Sequence, residues 1–366
     1  MLIKPHTTER NLIQLLLETF LALPEVHAKL SPQGSAKMPG DSEHNDQISL
    51  QVGGKSFSLL IKTKKVVYPR DARQVLWQLR EFGRSQPKGQ TGNGVVPLLV
   101  AESISPGAKD LLREERIGYF DSGGSLFLPA GGAYLYIDKP APKTLSKSIR
   151  SLFSGRRAQV LHTLLVRHQE WFGVKKIAEL AMVSPATASQ VLTELERFDW
   201  LVSRGQGPNK ERHLSEPAML LDTWVKQVVS IRTPSVRRYY IPAMKTENLL
   251  EHIGKVFDAH EVGYAVSYEA AAQRYTPFLS SVSQVRCRLL ASHASESAIS
   301  ELGARLVSEG ANLLITEVKS PGELLFREHV GGIWLDSPIQ VYIDLLHSEG
   351  RAKEMAEHLR KERIGF

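Results

Sequence analysis

The chain has very little cysteine and no long apolar run. Cys287 is its one cysteine, so an intrachain disulfide and a cysteine-ligated zinc site are both excluded. No stretch approaches the ~20 apolar residues that span a bilayer. The first ten residues lack the charged start and apolar run of a secretion signal. These absences exclude membrane-spanning and disulfide-stapled classes and predict a globular protein of the reducing cytoplasm.

Several catalytic signatures are missing as well. No Gly-x-x-x-x-Gly-Lys-Ser/Thr phosphate loop occurs, because the Gly-Gly pairs stand alone as turns. The twelve histidines show no His-x-x-x-His spacing on a predicted helix. The Gly-Ser and paired carboxylates by which nucleotidyltransferases hold metal are absent too. We therefore predict no enzyme, no cofactor and no metal site.

What the chain does have is length and a local excess of positive charge. Its 366 residues suggest two or three domains, and its net charge is +7. Residues 143–213 hold twelve basic and six acidic side chains, so this short stretch carries nearly all of the excess. Such a segment is typical of phosphate binding. A merely solvated basic surface is the alternative.

Two soft segments divide the sequence. Residues 138–144 are rich in Pro and Lys, and residues 230–236 form a second, weaker linker. Two further stretches, 31–45 and 85–95, are rich in Gly, Pro, Ser and Gln and are expected to be exposed loops. The predicted domains are 1–145, 146–228 and 235–366.

The N-terminal part is predicted to be a small α/β layer. Gly53-Gly54 joins two alternating segments in the manner of a β-hairpin. Asp121 is expected to cap the turn before Ser125. The predicted helices span 8–23, 69–82 and 106–115, and the predicted strands span 48–52, 57–62, 96–102, 117–121 and 125–128.

This layer resembles the scaffold of PD-(D/E)xK nucleases, which hold Mg²⁺ with an acid on one strand and Glu/Asp-x-Lys on the next. Either Lys62 or Lys64 could be the lysine of this motif. The acidic residue two positions before it is then replaced by Leu60 or by Lys62. We therefore expect a restriction-endonuclease-like domain without the catalytic motif. The lysines at 62, 64 and 65 either contact phosphate or form a solvated strand end. The remaining alternative is a nuclease that takes its acids from Glu43, Asp46 or Glu102.

The central part carries the most specific pattern. Apolar residues at helical spacing predict helices over 158–168 and 174–181 and, after a turn at 182–184, a third helix over 184–198. Ser184 can cap the third helix, and Pro185 suits its first position. Residues 200–214 then predict a strand, a glycine-rich tip and a second strand.

The segment resembles the winged helix-turn-helix of MarR-like regulators, in the run from Val183 to Glu196 and in Trp200-Leu-Val. A third helix with short polar side chains can enter the major groove, and basic residues beside it can hold phosphates. A winged helix that only docks a protein partner is the alternative. The predicted contacts to double-stranded DNA are Ser184, Thr187, Ser189, Gln190 and Thr193 on the third helix, Lys175 and Lys176 on the second, and Arg204, Lys210 and Arg212 on the wing.

The C-terminal part is predicted to be an α/β binding or assembly domain. Its predicted helices span 245–260, 296–309, 338–346 and 351–363. A strand that runs into a helix is predicted over 264–274. The other predicted strands span 285–291, 313–317 and 333–335.

Motifs in the N- and C-terminal parts resemble the AbiEi-type regulators, the antitoxins of type IV toxin–antitoxin systems. The matching runs are 97–112 with 117–121, then 263–272, then 337–346. The resemblance implies that the protein represses its own operon and neutralises a nucleotidyltransferase-like toxin. Binding to paired DNA half-sites would further require a homodimer.

Overall fold

The computed structural model describes residues 5–31, 47–85, 95–130, 133–140, 143–228, 235–242 and 246–366. The protein is of the mixed α/β class and forms two compact units. Unit 1 comprises Met1–Ile149 with Glu194–Asp199, and unit 2 comprises Arg150–Thr193 with Trp200–Phe366. This division into two units does not test the three predicted domains, 1–145, 146–228 and 235–366, which stay a prediction. Within the described residues, no helix is both long enough and apolar enough to cross a membrane.

Unit 1 is built on a seven-stranded sheet in chain order, with the third, fourth and fifth strands parallel and the other pairs antiparallel. One core cluster includes apolar residues of the first helix, and a second includes those of the next two helices. Its elements are α1 (Pro5–Leu21), β1 (Val26–Leu30), β2 (Gln47–Val52), β3 (Lys55–Val67), α2 (Pro69–Ser85), β4 (Val95–Ile104), α3 (Pro106–Glu114), β5 (Gly118–Asp121), β6 (Leu126–Ala130) and β7 (Ala133–Ile137).

Most predicted elements of this unit are confirmed. The Gly53-Gly54 turn between β2 and β3 has φ values of 51° and 77°, which glycine adopts without strain. The sequence patterns missed β1 and β7, which lie at the two edges of the sheet. The predicted linker 138–144 overlaps the start of a helix, α4 (Lys143–Leu152). Most of the predicted loops and most of the second linker lie outside the described residues.

Asp121 caps its turn as predicted and is also paired with a cation. Its Oδ1 accepts a hydrogen bond from the Ser125 backbone N–H at 3.1 Å. Its Oδ2 lies 2.7 Å from Lys109 Nζ, and the same ammonium donates to Ser125 Oγ at 2.7 Å. All three side chains are buried. This closed cluster has the character of a structural ion pair, because a buried charge needs such partners.

The central segment, residues 155–228, lies in unit 2 except for Glu194–Asp199 and has three helices, a hairpin and a further helix. The three predicted helices and the hairpin are confirmed, whereas the last helix was not predicted. The elements are α5 (Gly155–Val166), α6 (Val174–Leu180), α7 (Pro185–Arg197), β8 (Leu201–Arg204), β9 (Glu211–Leu214) and α8 (Pro217–Val228).

The C-terminal segment forms a mixed seven-stranded sheet. From one edge to the other, its strands are residues 305–306, 236–240, 313–318, 285–290, 264–267, 333–335 and 328–330. The helix predicted over 296–309 ends at Glu301, because Gly303 turns the chain at φ 64° and residues 305–306 pair with the sheet. The elements are β10 (Val236–Tyr240), α9 (Thr246–Ala259), β11 (Tyr264–Ser267), α10 (Tyr268–Tyr275), β12 (Val285–Leu290), α11 (His293–Glu301), β13 (Arg305–Leu306), β14 (Leu313–Val318), β15 (Glu328–Val330), β16 (Ile333–Leu335), α12 (Pro338–Leu346) and α13 (Ala352–Leu359).

Candidate nucleic-acid interface

The start of α7 is fixed by a side-chain cap. Ser184 Oγ accepts a hydrogen bond from the Thr187 backbone N–H at 3.2 Å and lies 2.9 Å from the Thr187 hydroxyl oxygen. Pro185 occupies the first helical position, where its missing N–H removes no helical hydrogen bond. The predicted cap is therefore confirmed, and it sets where the polar face of α7 begins.

The polar face of α7 lies opposite a fully buried stripe. Ala188, Val191 and Leu195 are 0% exposed. Ser184, Gln190 and Thr193 are exposed, while Thr187 and Ser189 are half-buried. Thr193 Oγ1 donates to the Ser189 carbonyl at 2.8 Å, so its hydroxyl proton is already used inside the helix. Gln190 therefore presents the most adaptable donor and acceptor of the predicted set.

The hairpin after α7 is joined by an isolated backbone bridge that the sequence pattern did not predict. β8 and β9 pair in antiparallel register from Leu201↔Leu214 to Arg204↔Glu211. The backbone of Phe172, which lies between α5 and α6, exchanges two hydrogen bonds with Arg212, at 2.8 and 2.9 Å. The order along the chain is therefore helix, bridge, helix, helix and hairpin.

The tip of the hairpin depends on Gly205. This residue has φ 73°, and a Cβ built on it would stand 2.5 Å from the Asn209 carbonyl oxygen. That distance is far inside van der Waals contact, so only glycine fits at this point of the turn.

Gly205→Ala is expected to destabilise the hairpin by about 1–3 kcal/mol, from the strain of φ > 0 together with the contact to Asn209. Faster backbone hydrogen exchange across 201–214 would report it. Gly207→Ala is the matched control, because Gly207 also has positive φ but nothing lies within 4 Å of its added Cβ. Equal exchange in the two variants would show that the Asn209 contact is unimportant.

Arg204 is held in place on the outer side of the hairpin. Its guanidinium lies 2.7 Å from Glu211 Oε2 and 4.3 Å from the centre of the Trp171 ring. The other stacking partner of Trp171 is His213, with ring centres 5.2 Å apart. The Arg204 side chain stays 58% exposed, so it is oriented toward solvent and partly neutralised at the same time.

The remaining basic residues differ in how accessible they are. Lys175 and Lys176 are exposed on the first turn of α6, whereas Lys210 is half-buried. Arg212 is only 7% exposed, because it lies on the strand that pairs with both β8 and Phe172. Because so little of Arg212 is exposed, its burial argues against the predicted phosphate contact. Accessibility of this kind depends on packing and has no signal in the local sequence.

The place predicted for a nuclease acid lies on β3 of unit 1. That strand contains no Asp or Glu, and Leu60 is 0% exposed in the core. Lys62 and Lys64 are half-buried and Lys65 is exposed. Glu102 lies on β4, whereas Glu43 and Asp46 lie outside the described residues. In the part of the chain that is described, no group of three or more His, Cys, Asp or Glu side chains could hold a metal ion.

Comparisons with known proteins identify no relative of this chain. No protein-family model matches the chain, and no curated protein or solved structure matches it either.

Proposed function

We propose that the protein is a DNA-binding transcriptional regulator and that residues 146–228 form a winged helix-turn-helix. The backbone exchange between Phe172 and Arg212 carries the proposal, because it joins the chain between α5 and α6 to the hairpin that follows α7. A backbone bridge at this position supports the proposal, because a winged helix pairs the chain between its first two helices with its wing.

In this proposal α7 lies in the major groove. Ser184, Thr187, Ser189, Gln190 and Thr193 face base edges or nearby phosphates, and their small size lets the helix approach closely. The phosphate backbone is held by Lys175 and Lys176 from α6 and by Arg204 and Lys210 from the hairpin. The basic surplus of this segment supports the assignment, since phosphate contacts supply most of the affinity for duplex DNA.

The N-terminal domain is proposed to be a nuclease-like α/β layer that lacks the catalytic motif. The support is the order α1-β1-β2-β3-α2-β4, in which an antiparallel meander is followed by a parallel strand. The missing carboxylate on β3 favours a binding role over cleavage.

A gel shift with the DNA upstream of the protein's own gene tests the proposal. A retarded band that survives excess unrelated duplex supports specific regulation, and no shift with any duplex would favour the protein-docking alternative. Incubation of the full chain with supercoiled plasmid and Mg²⁺ tests the nuclease alternative, which predicts nicked or linear product.

Glu211→Gln is expected to strengthen DNA binding about tenfold at low salt, because it frees the charge of Arg204 and removes a carboxylate from the hairpin. The slope of log K against log salt should steepen by about one. Fluorescence anisotropy over a salt series measures both quantities. Glu354→Gln serves as control, since Glu354 pairs with Arg351 on the C-terminal helix. Unchanged affinity in Glu211→Gln would remove Arg204 from the interface.

We further propose, from the sequence resemblance, that the protein is an AbiEi-type antitoxin. The matching runs form β4 with α3, β11 with α10, and α12, so they lie in both units. The test is whether the neighbouring gene encodes a nucleotidyltransferase-like toxin whose growth arrest this protein relieves. Relief that persists in a variant without DNA binding would separate neutralisation from repression.

A further inference from the structure

Unit 2 contains a large cavity beside the first helix of its central segment. Its volume is about 780 Å³, within the usual range for small-ligand sites. One wall is formed by α5 and α8, and another by β12, β14 and α12. A molecule in this cavity would therefore touch both the central and the C-terminal segments of the unit.

At one point of the cavity edge the flexible end of the Gln159 side chain lies directly against Gly322. A Cβ on Gly322, in the short 3₁₀ helix Pro321–Leu324, would stand 2.3 Å from Gln159 Nε2 of α5. Nearby, His162 of α5 lies 2.6 Å from the Ser337 hydroxyl through Nε2. These contacts fix α5 directly against the C-terminal segment at the edge of the cavity.

The carboxylates on the cavity wall already have partners. Asp344 accepts hydrogen bonds from Arg288 at 2.9 and 3.0 Å and from Ser267 at 2.5 Å. Glu323 accepts from the backbone N–H groups of Lys319 and Ser320. Asp344 would have to give up these bonds to hold a cationic ligand, whereas the bonds to Glu323 all go to Oε1 and leave Oε2 to solvent.

Two guanidinium groups on the wall have no such partner. Among the described residues, Arg156 and Arg286 form no ion pair with a carboxylate, and Nε of Arg286 is buried without a hydrogen-bond partner. Arg286 lies 4.5 Å over the Tyr268 ring, which fixes its position. A buried donor that lacks an acceptor costs free energy, and an anion in the cavity would supply one.

The lining also includes a group of aromatic rings at one end of the cavity. Phe153 and Trp224 lie with ring centres 6.2 Å apart, and His162 contacts Trp224 edge-on at 6.1 Å. Burial, with Arg288 adding to it, lowers the pKa of His162 to about 3, so the ring is neutral. This end of the cavity therefore suits an aromatic or apolar body.

We propose that this cavity binds a small organic anion with an aromatic body, held by Arg286 and Arg156 at its charged end and by Trp224 and Phe153 at its apolar end. The site does not depend on the proposed DNA binding. Because α5 is the first helix of the proposed winged helix, a bound anion would also be placed to influence that segment. Only this influence on the winged helix rests on the proposed function.

Two dyes with nearly the same aromatic body test the site on the full chain. 8-Anilinonaphthalene-1-sulfonate carries an anionic group, and N-phenyl-1-naphthylamine lacks it. We expect saturable binding of the sulfonate dye, about tenfold tighter than that of the neutral dye. Arg286→Gln and Arg156→Gln should each weaken the sulfonate dye about tenfold and leave the neutral dye unchanged.

Arg305→Gln is the matched control, because Arg305 is exposed on β13 and lies outside the cavity. Ala158→Phe, which adds a ring to the cavity wall, should weaken both dyes, with thermal unfolding as the check on its fold. Slower hydrogen exchange in α5 upon dye binding would place the dye at this wall. The proposal is overturned if neither dye saturates, if the two dyes bind equally, or if Arg305→Gln has the same effect as the two cavity variants.

Discussion

Replacing Arg288 with Met is expected to lower the free energy of unfolding by about 3–5 kcal/mol, the usual cost of removing one partner of a buried ion pair. Arg288 Nε lies 2.9 Å from Asp336 Oδ2, and its guanidinium also binds Asp344. The two carboxylates are 2% and 8% exposed. The variant would leave both buried without their cation. Urea unfolding followed by circular dichroism measures the loss.

The pH dependence of this effect follows from Asp336. Burial, which outweighs the opposing effect of Arg288, raises the pKa of this carboxyl from 3.8 to about 7. Between these values the folded protein holds a proton that the unfolded chain has released, so this group's contribution to stability falls as the pH rises. Loss of Arg288 raises that pKa further. The destabilisation should therefore be larger at pH 8 than at pH 5.

Two controls separate the ion pair from general damage. Arg305→Met removes an exposed arginine of the same sheet and should change stability by less than about 0.5 kcal/mol. Adding Asp336→Asn and Asp344→Asn to Arg288→Met should recover part of the loss, because no buried charge is then left unpaired. A destabilisation that is equal at both pH values would contradict the assigned role of Asp336.

Lys175→Ala with Lys176→Ala is expected to weaken binding to every duplex about hundredfold, at roughly tenfold for each lost phosphate contact. The salt slope should become shallower by about two. The effect should not depend on the operator sequence, because phosphate contacts do not read bases. Anisotropy titrations over a salt series, with operator and unrelated duplexes, measure all three quantities.

Lys353→Ala with Lys361→Ala is the control of equal charge, since both lysines are exposed at the C-terminal end of the chain. Its slope and affinity should stay close to those of the original protein. If the two double variants lose affinity equally, the interface is a diffuse charge effect and α6 has no special place in it.

Local signals explain why the central segment was predictable. Ser184 and Pro185 mark the start of α7, and the glycines at 205 and 207 mark the tip of the hairpin. The preference for each of these residue types depends on the backbone geometry within a few residues of the position. The same holds for the Gly53-Gly54 turn of unit 1, which follows a strand that alternates between buried and more exposed residues.

What was missed depends on contacts between distant parts of the chain. The edge strands β1 and β7 are short and take their register from neighbours, so their own pattern is weak. Arg288 meets Asp344 across 56 residues of sequence, and no spacing rule connects them. Arg212 was predicted to contact phosphate from the wing, because the local sequence carries no signal for the pairing of its backbone with Phe172.

The close fit between α5 and Pro321–Leu324 has a consequence for how such a protein can be recombined. The central segment is not independent of the C-terminal segment, because His162 lies against Ser337 and the end of the Gln159 side chain lies against Gly322. A transplanted segment would lose the contact between His162 and the Ser337 hydroxyl, and this buried imidazole would need a new partner. A recombinant protein should therefore take its central and C-terminal segments from the same parent protein.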